Sequence, residues 1–299
     1  MLNKKRLIKI SLILLNFLFF SSTAFCQIFF NRGYRNYNNY NYNYNYNNNY
    51  TNQNRQSVQP TTQQPPVNVA DLKKGVFYKF NFSTSGMFAS SSEYKLMIPD
   101  NELNKGSYGL LVYLHGDEAR DYYSSWIVNQ LIPIAKEYNL ILVSVLAPGM
   151  VKRWYVAPRY KADYLNKLIT TDLVSKFDID TNNVYFTGSS GGSQFLTGIF
   201  VAEYASNYGG GAFPTCGGAN LFTGYQVKPK ITEQMKQNFK LFYYTNTGDF
   251  LYSQVVASKR TYERLGLMVQ GFHAAGGHCQ FQMRDVARHA FNFFFSEND

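Results

Sequence analysis

The sequence predicts an α/β fold, a mostly parallel sheet covered by helices on both faces. Three observations carry that expectation. Short apolar runs at 110–114, 140–146, 184–187 and 241–244 have the length and composition of buried strands. Between and after them, residues 126–137, 164–177, 193–204 and 284–295 space their apolar side chains at helical intervals. Strand and helix alternate, which places helices on both sides of a parallel sheet and sites at the carboxyl ends of its strands.

Two further early strands are read at 76–80 and 94–98, the second stopped by Pro99. In 126–137 the helical face is Ile127, Leu131, Ile134 and Ala135. In 164–177 it is Leu165, Leu168, Ile169 and Leu173. The run 212–218 is read as a strand end, 254–265 as a weak helix and 267–269 as a last short strand.

The chain has 299 residues, 45% of them hydrophobic, enough for one large core. Its formal charge is +10, but seven cations (Lys4, Lys5, Arg6, Lys9, Arg32, Arg35 and Arg55) precede the first acid, Asp71. The remaining body carries an excess of only three, which argues against a nucleic-acid partner.

Residues 1–26 read as a secretory signal peptide. A basic start is followed by an apolar stretch at 7–20 and then by Ser21-Ser22-Thr23-Ala24. The stretch is short for a membrane span, which needs about 20 residues, so no span is expected in the mature chain. The alternative is an uncleaved anchor. A lipid anchor at Cys26 is disfavoured by the bulky Phe25 before it. Export implies a secreted or periplasmic protein.

Residues 27–70 are expected to be a disordered tether. Positions 36–50 contain only Asn and Tyr, and Gln, Thr and Pro follow, with too few aliphatic side chains to offset the entropy of ordering. The globular domain is expected over 71–299. If Cys26 is removed, Cys216 and Cys279 remain. An exported chain can bond them, and two buried thiols are the alternative.

The chemistry centres on Gly188-Ser189-Ser190-Gly191-Gly192, directly after the apolar Val184-Tyr185-Phe186-Thr187. Gly-x-Ser-x-Gly between strand and helix is the signature of a sharp turn that exposes a nucleophile at the top of a sheet. Among the neighbouring serines, only Ser190 has glycine at both −2 and +2. The helix that follows aims its first amides at the place where negative charge develops.

Ser190 needs a base, and the base needs an orienting acid. Such sites run Ser, acid, His along the chain, which sets His115 aside as a loop-bonding residue. His278, in a loop after Gly276-Gly277 and beyond the last strand, is the expected base, with His273 as runner-up; His289 falls within the closing helix. Of the intervening carboxylates, Glu203, Glu233 and Glu263 lie in helical patterns. Asp249 directly follows a strand and is the expected acid.

The oxyanion would be held by the backbone N–H of Gly191 and by an N–H from the loop His115-Gly116-Asp117. Asp117 is favoured there and Gly116 is the alternative. Trp154, in Arg153-Trp154-Tyr155, is a candidate wall of an acyl or aryl pocket, with loop packing as its other reading. No metal or phosphate-binding motif is present, and serine chemistry requires no cofactor.

Several segments resemble the polyhydroxybutyrate depolymerase-like and feruloyl esterase-like branch of the α/β-hydrolases. They are Tyr94-x-Leu96-x-Ile98-Pro99, Leu111-Val112-Tyr113-Leu114-His115-Gly116, and the stretch from Phe177-Asp178-Ile179-Asp180 through Gly188-x-Ser190-x-Gly192. The resemblance covers about 76–295. It implies a secreted carboxylic-ester hydrolase acting on a small or polymeric ester, with Ser190, Asp249 and His278 as its triad. The chain departs from that branch in having Gly191 where alanine is common. It also has Asp117-Glu118-Ala119 where a glycine- or cysteine-rich segment is usual. A peptidase on the same fold, or a non-catalytic binding protein that retains it, are the competing readings.

Overall fold

The computed structural model describes residues 71–85, 90–100 and 107–296. The expected signal peptide with Cys26 and the expected tether lie outside these residues.

Among the described residues, eight strands form one sheet: β1 (Phe77–Ser83), β2 (Ser91–Met97), β3 (Tyr108–Leu114), β4 (Leu140–Val145), β5 (Ile179–Ser189), β6 (Gly210–Thr215), β7 (Phe239–Asn246) and β8 (Met268–Ala274). Their order across the sheet is β1-β2-β4-β3-β5-β6-β7-β8. β2 runs antiparallel to both of its neighbours, and every pairing from β4 to β8 is parallel.

The helices are α1 (Arg120–Ser124), α2 (Trp126–Glu137), α3 (Pro158–Lys167), α4 (Gly191–Phe195), α5 (Glu233–Asn238), α6 (Tyr252–Arg264) and α7 (Met283–Phe295). Both α3 and α4 run on through a wider π-type turn, Leu168–Leu173 and Leu196–Phe200 respectively.

The strand periodicity sorts side chains onto two faces. Leu110, Val112 and Leu114 of β3 join a core with Leu165 of α3, Leu168 and Ile169 of the π-type turn that continues it, Phe195 of α4, Met235 of α5 and Val255 of α6. Leu111 and Tyr113 face the other way, toward Val128 and Leu131 of α2 and Phe291 of α7. Because both faces are covered, β3 and β4 are buried almost throughout, as their unbroken apolar runs imply.

Helix 126–137 lies where its periodicity places it. The helix expected at 164–177 begins earlier, at Pro158. That is the favoured first helical position for proline, and the polar first turns conceal it from an apolar pattern. β5 is longer than expected, since Tyr108 pairs with Ile179 and Leu110 with Val184, an irregularity that absorbs the polar Asp180–Asn183 stretch. The short turn Asp117–Ala119 and α1 add to the expected elements.

Candidate active site

The carboxyl ends of β3, β5, β6, β7 and β8 bring the expected residues together. Ser190 sits between the end of β5 and the start of α4, with φ 49° and ψ −112°, a conformation that costs a non-glycine residue energy. Neighbouring chain makes it fit. A Cβ on Gly188 would lie 2.9 Å from the Gly192 carbonyl carbon and 3.1 Å from Leu114 O, and one on Gly192 would lie 2.7 Å from His115 O. The two glycines thus let α4 start against the ends of β3 and β5. The other serines are engaged elsewhere. Ser193 Oγ accepts the Thr215 N–H at 2.9 Å and lies 2.5 Å from Gly188 O. Ser189 Oγ lies 3.2 Å from the Tyr113 hydroxyl.

His278 lies in the loop after β8, its Nε2 3.0 Å from Ser190 Oγ. Its Nδ1 is 2.9 Å from each oxygen of Asp249. A carboxylate only accepts, so Nδ1 carries the hydrogen and Nε2 is left as acceptor for the serine hydroxyl. Asp249, in the loop after β7, has a fully buried side chain, and its Oδ1 also accepts the Leu251 N–H at 2.8 Å. His278 remains about a quarter exposed, with the Phe250 ring centred 4.4 Å away.

Two devices hold the His278 loop. Asn246, buried at the end of β7, donates Nδ2 to Gly277 O at 2.8 Å and Gln280 O at 3.0 Å. Cys216, just past β6, is disulfide-bonded to Cys279 with Cα atoms 5.1 Å apart. The choice between bonded and free thiols is thereby resolved, and the bridge ties the residue beside His278 to the strand beside Ser190. Asn246 went unnoticed in the sequence, where an asparagine after a strand reads as turn chemistry.

The other histidines stand apart. His273 is on β8 with its ring against Tyr252, and His289 stacks on Phe272. His115 is fully buried, accepts the Ala147 N–H at Nε2 (3.0 Å) and places Nδ1 2.6 Å from Gly116 O. Burial lowers its pKa to about 4, so it is neutral and clips the β3 loop to the β4 loop.

In the β3 loop, the Gly116 N–H donates to Asp121 Oδ2 at 3.2 Å. Asp117 then opens a tight turn in which Glu118 (φ 65°) and Ala119 (φ 57°) are left-handed. The Asp117 carboxylate reaches across to the β4 loop. Its Oδ2 accepts the Tyr155 hydroxyl at 2.7 Å and lies 3.9 Å from Arg153 Nε. Trp154 takes the second of its two readings, loop packing. It is 1% exposed and packs against Phe195 and His115 in the core, so it cannot face a ligand. Its neighbour Tyr155 is the residue at the site, and the sequence offered no signal to prefer it.

The strand order, the single reversed strand β2 and the serine at the β5–α4 turn define an α/β-hydrolase fold. Solved structures of that class superpose on the chain. One is FphF, a fluorophosphonate-binding serine hydrolase of Staphylococcus aureus, with a TM-score of 0.53 and 15% identity over 75% of this chain and 100% of that one. A ferulic acid esterase gives 0.54 and 14% over 73% and 97%. A fungal esterase from Rhizomucor miehei gives 0.53 and 11% over 75% and 84%. At these identities the likeness is one of fold. No protein-family model and no curated protein sequence matches the chain.

Proposed function

We propose that the protein is an exported serine hydrolase that cleaves carboxylic esters, with Ser190 as nucleophile, His278 as base and Asp249 as orienting acid. The observation that carries this reading is His278 bridging Ser190 Oγ and the buried Asp249 carboxylate at 3.0 and 2.9 Å. The structural neighbours include serine hydrolases and esterases, which supports the same chemistry.

As Ser190 Oγ attacks the ester carbonyl carbon, its proton passes to His278 Nε2, and Asp249 stabilises the resulting imidazolium. The carbonyl oxygen becomes an oxyanion. Gly191 is the first residue of α4 and Asp117 the first of its turn, so both amides lack a partner within their own helix. These are the proposed donors; Gly116, the alternative, already gives its N–H to Asp121. When the tetrahedral adduct collapses, the C–O bond to the alcohol breaks and Nε2 returns the proton to the leaving oxygen. Water then repeats the sequence on the acyl-enzyme, releasing the acid.

Export rests on the basic and apolar N-terminus and on a disulfide, a bond favoured in oxidising compartments. Among the described residues no helix is long and apolar enough to cross a membrane. The resemblance to depolymerase-like and feruloyl esterase-like enzymes directs the substrate screen toward acetyl, feruloyl and hydroxyalkanoate esters.

The test is Ser190→Ala assayed on p-nitrophenyl acetate. The variant is expected to lose at least roughly 10⁴-fold in kcat while keeping its circular dichroism and melting temperature. Undiminished turnover would remove Ser190 as nucleophile. A fluorophosphonate probe separates an enzyme, which it labels at Ser190, from a binding protein that retained the fold. Matched amide and ester substrates separate peptidase from esterase.

A further inference from the structure

We infer that Tyr155 is a positioning residue for the oxyanion site, clamping its two donors from the β4 loop; the inference rests on the esterase reading above. Tyr155 touches both halves of that site. Its hydroxyl donates to Asp117 Oδ2 at 2.7 Å. One edge of its ring borders Gly191, where an added Cβ would stand 3.2 Å from Tyr155 Cε1.

The Asp117 turn needs such a restraint. Glu118 and Ala119 both adopt left-handed backbone, which favours relaxation to another conformation unless neighbouring contacts forbid it. Asp121 fixes the turn from behind through the Gly116 N–H, and the Tyr155 hydroxyl fixes it from in front through the Asp117 side chain.

Tyr155 is itself well anchored. Lys161 of α3 is 3% exposed, and its Nζ donates to Val151 O at 3.1 Å and Arg153 O at 2.5 Å. Trp154, the residue between Arg153 and Tyr155, is locked in the core. The chain of support runs from Lys161 to the 151–155 segment, to the Asp117 carboxylate, and so to the Asp117 amide. Donors of this kind work by being fixed before charge develops, and an offset of about 1 Å costs on the order of 100-fold in rate. A clamp on the donors should therefore affect the tetrahedral adduct much more than the bound substrate.

The experiment compares Tyr155→Phe, Asp117→Ala, Asp117→Asn and the double variant Tyr155→Phe/Asp117→Ala in the full-length protein. The measurements are kcat and KM on p-nitrophenyl acetate, inhibition by an alkyl boronic acid (a tetrahedral-adduct mimic), and the melting temperature. Tyr155→Phe is expected to lower kcat by roughly 10- to 100-fold, with KM within about twofold, and to weaken boronate binding in parallel. Asp117→Ala should match it, and the double variant should be no worse than either single one. Asp117→Asn keeps an acceptor for the tyrosine hydroxyl and should recover at least about tenfold of the loss caused by Asp117→Ala.

The inference is overturned by unchanged kcat in Tyr155→Phe, by losses that multiply in the double variant, or by a loss confined to KM or to melting temperature. If Tyr155→Phe does not fold, the contrast between Asp117→Asn and Asp117→Ala decides in its place. Failure of the wild-type protein to hydrolyse esters or take up a fluorophosphonate would instead bring down the parent reading.

Discussion

Asp117 and Gly191 share one volume: a Cβ on Gly191 would collide with the Asp117 Oδ1 oxygen. The two departures from the resembling esterase branch, glycine in place of alanine after the nucleophile and an acidic residue after His-Gly, are therefore one structural fact. The carboxylate cannot simply swing aside, because its other oxygen accepts the Tyr155 hydroxyl. Gly191→Ala should cost about 1–3 kcal/mol of stability, the range for overpacking, as measured by urea unfolding. In an Asp117→Ala background the same substitution should cost clearly less, the remainder coming from the Tyr155 ring 3.2 Å from the added Cβ. Equal costs in the two backgrounds would deny the shared volume.

The Cys216–Cys279 bridge closes a loop of sequence separation 63 and should stabilise the fold by roughly 2–4 kcal/mol. Its position gives it a second effect. Cys279 adjoins His278, and a Cβ on Gly217, the residue after Cys216, would stand 2.9 Å from the Ser190 Cα and carbonyl carbon. Cys279→Ser should lower the unfolding free energy by that amount and lower kcat, because the loop that carries the imidazole loses one of the two devices that hold it. Asn246 keeps the other, so activity should fall without vanishing. Wild-type protein treated with dithiothreitol should behave likewise. Indifference of both rate and stability to reduction would reject this role for the bridge.

What the sequence disclosed follows from how much of each signal is local. β3, β4 and α2 were legible because burial repeats along each of them, on both faces of the two strands and on one face of the helix, so the apolar pattern recurs over many positions. The start of α3 was hidden because residues 158–163 present a largely polar pattern. Ser190, Asp249 and His278 could be chosen from chain order and from their places at strand ends, and the fold sets them side by side. Tyr155 could not be chosen. Its partner Asp117 lies 38 positions earlier, and beside it stood a tryptophan whose size drew attention but whose destination was the core. Asn246 was silent for a similar reason, since its role depends on carbonyls more than 30 positions downstream.

Asp249→Asn tests the orienting role apart from the fold. Asparagine keeps an oxygen for the Leu251 N–H but offers its amide to His278 Nδ1, which favours the tautomer whose Nε2 carries hydrogen and cannot accept from Ser190. The expected loss in kcat is roughly 10³- to 10⁴-fold with an unchanged circular dichroism spectrum. A loss below about tenfold would mean that the carboxylate serves packing alone.

His115 makes acid stability a measurable property of the β3 loop. The unfolded imidazole takes up a proton below about 6.5, whereas burial lowers the folded value to about 4. Between those values the unfolded state binds more protons, so the stabilising contribution is fully present above pH 6.5 and is lost as pH falls through about 4. The span corresponds to about 3 kcal/mol. Urea unfolding followed from pH 7 to pH 4 should therefore show a steeper fall for the wild type than for His115→Gln, by an amount approaching that figure. Glutamine keeps an acceptor for the Ala147 N–H without a titrating ring. Parallel curves would mean that the buried ring takes its proton as readily in the fold as out of it.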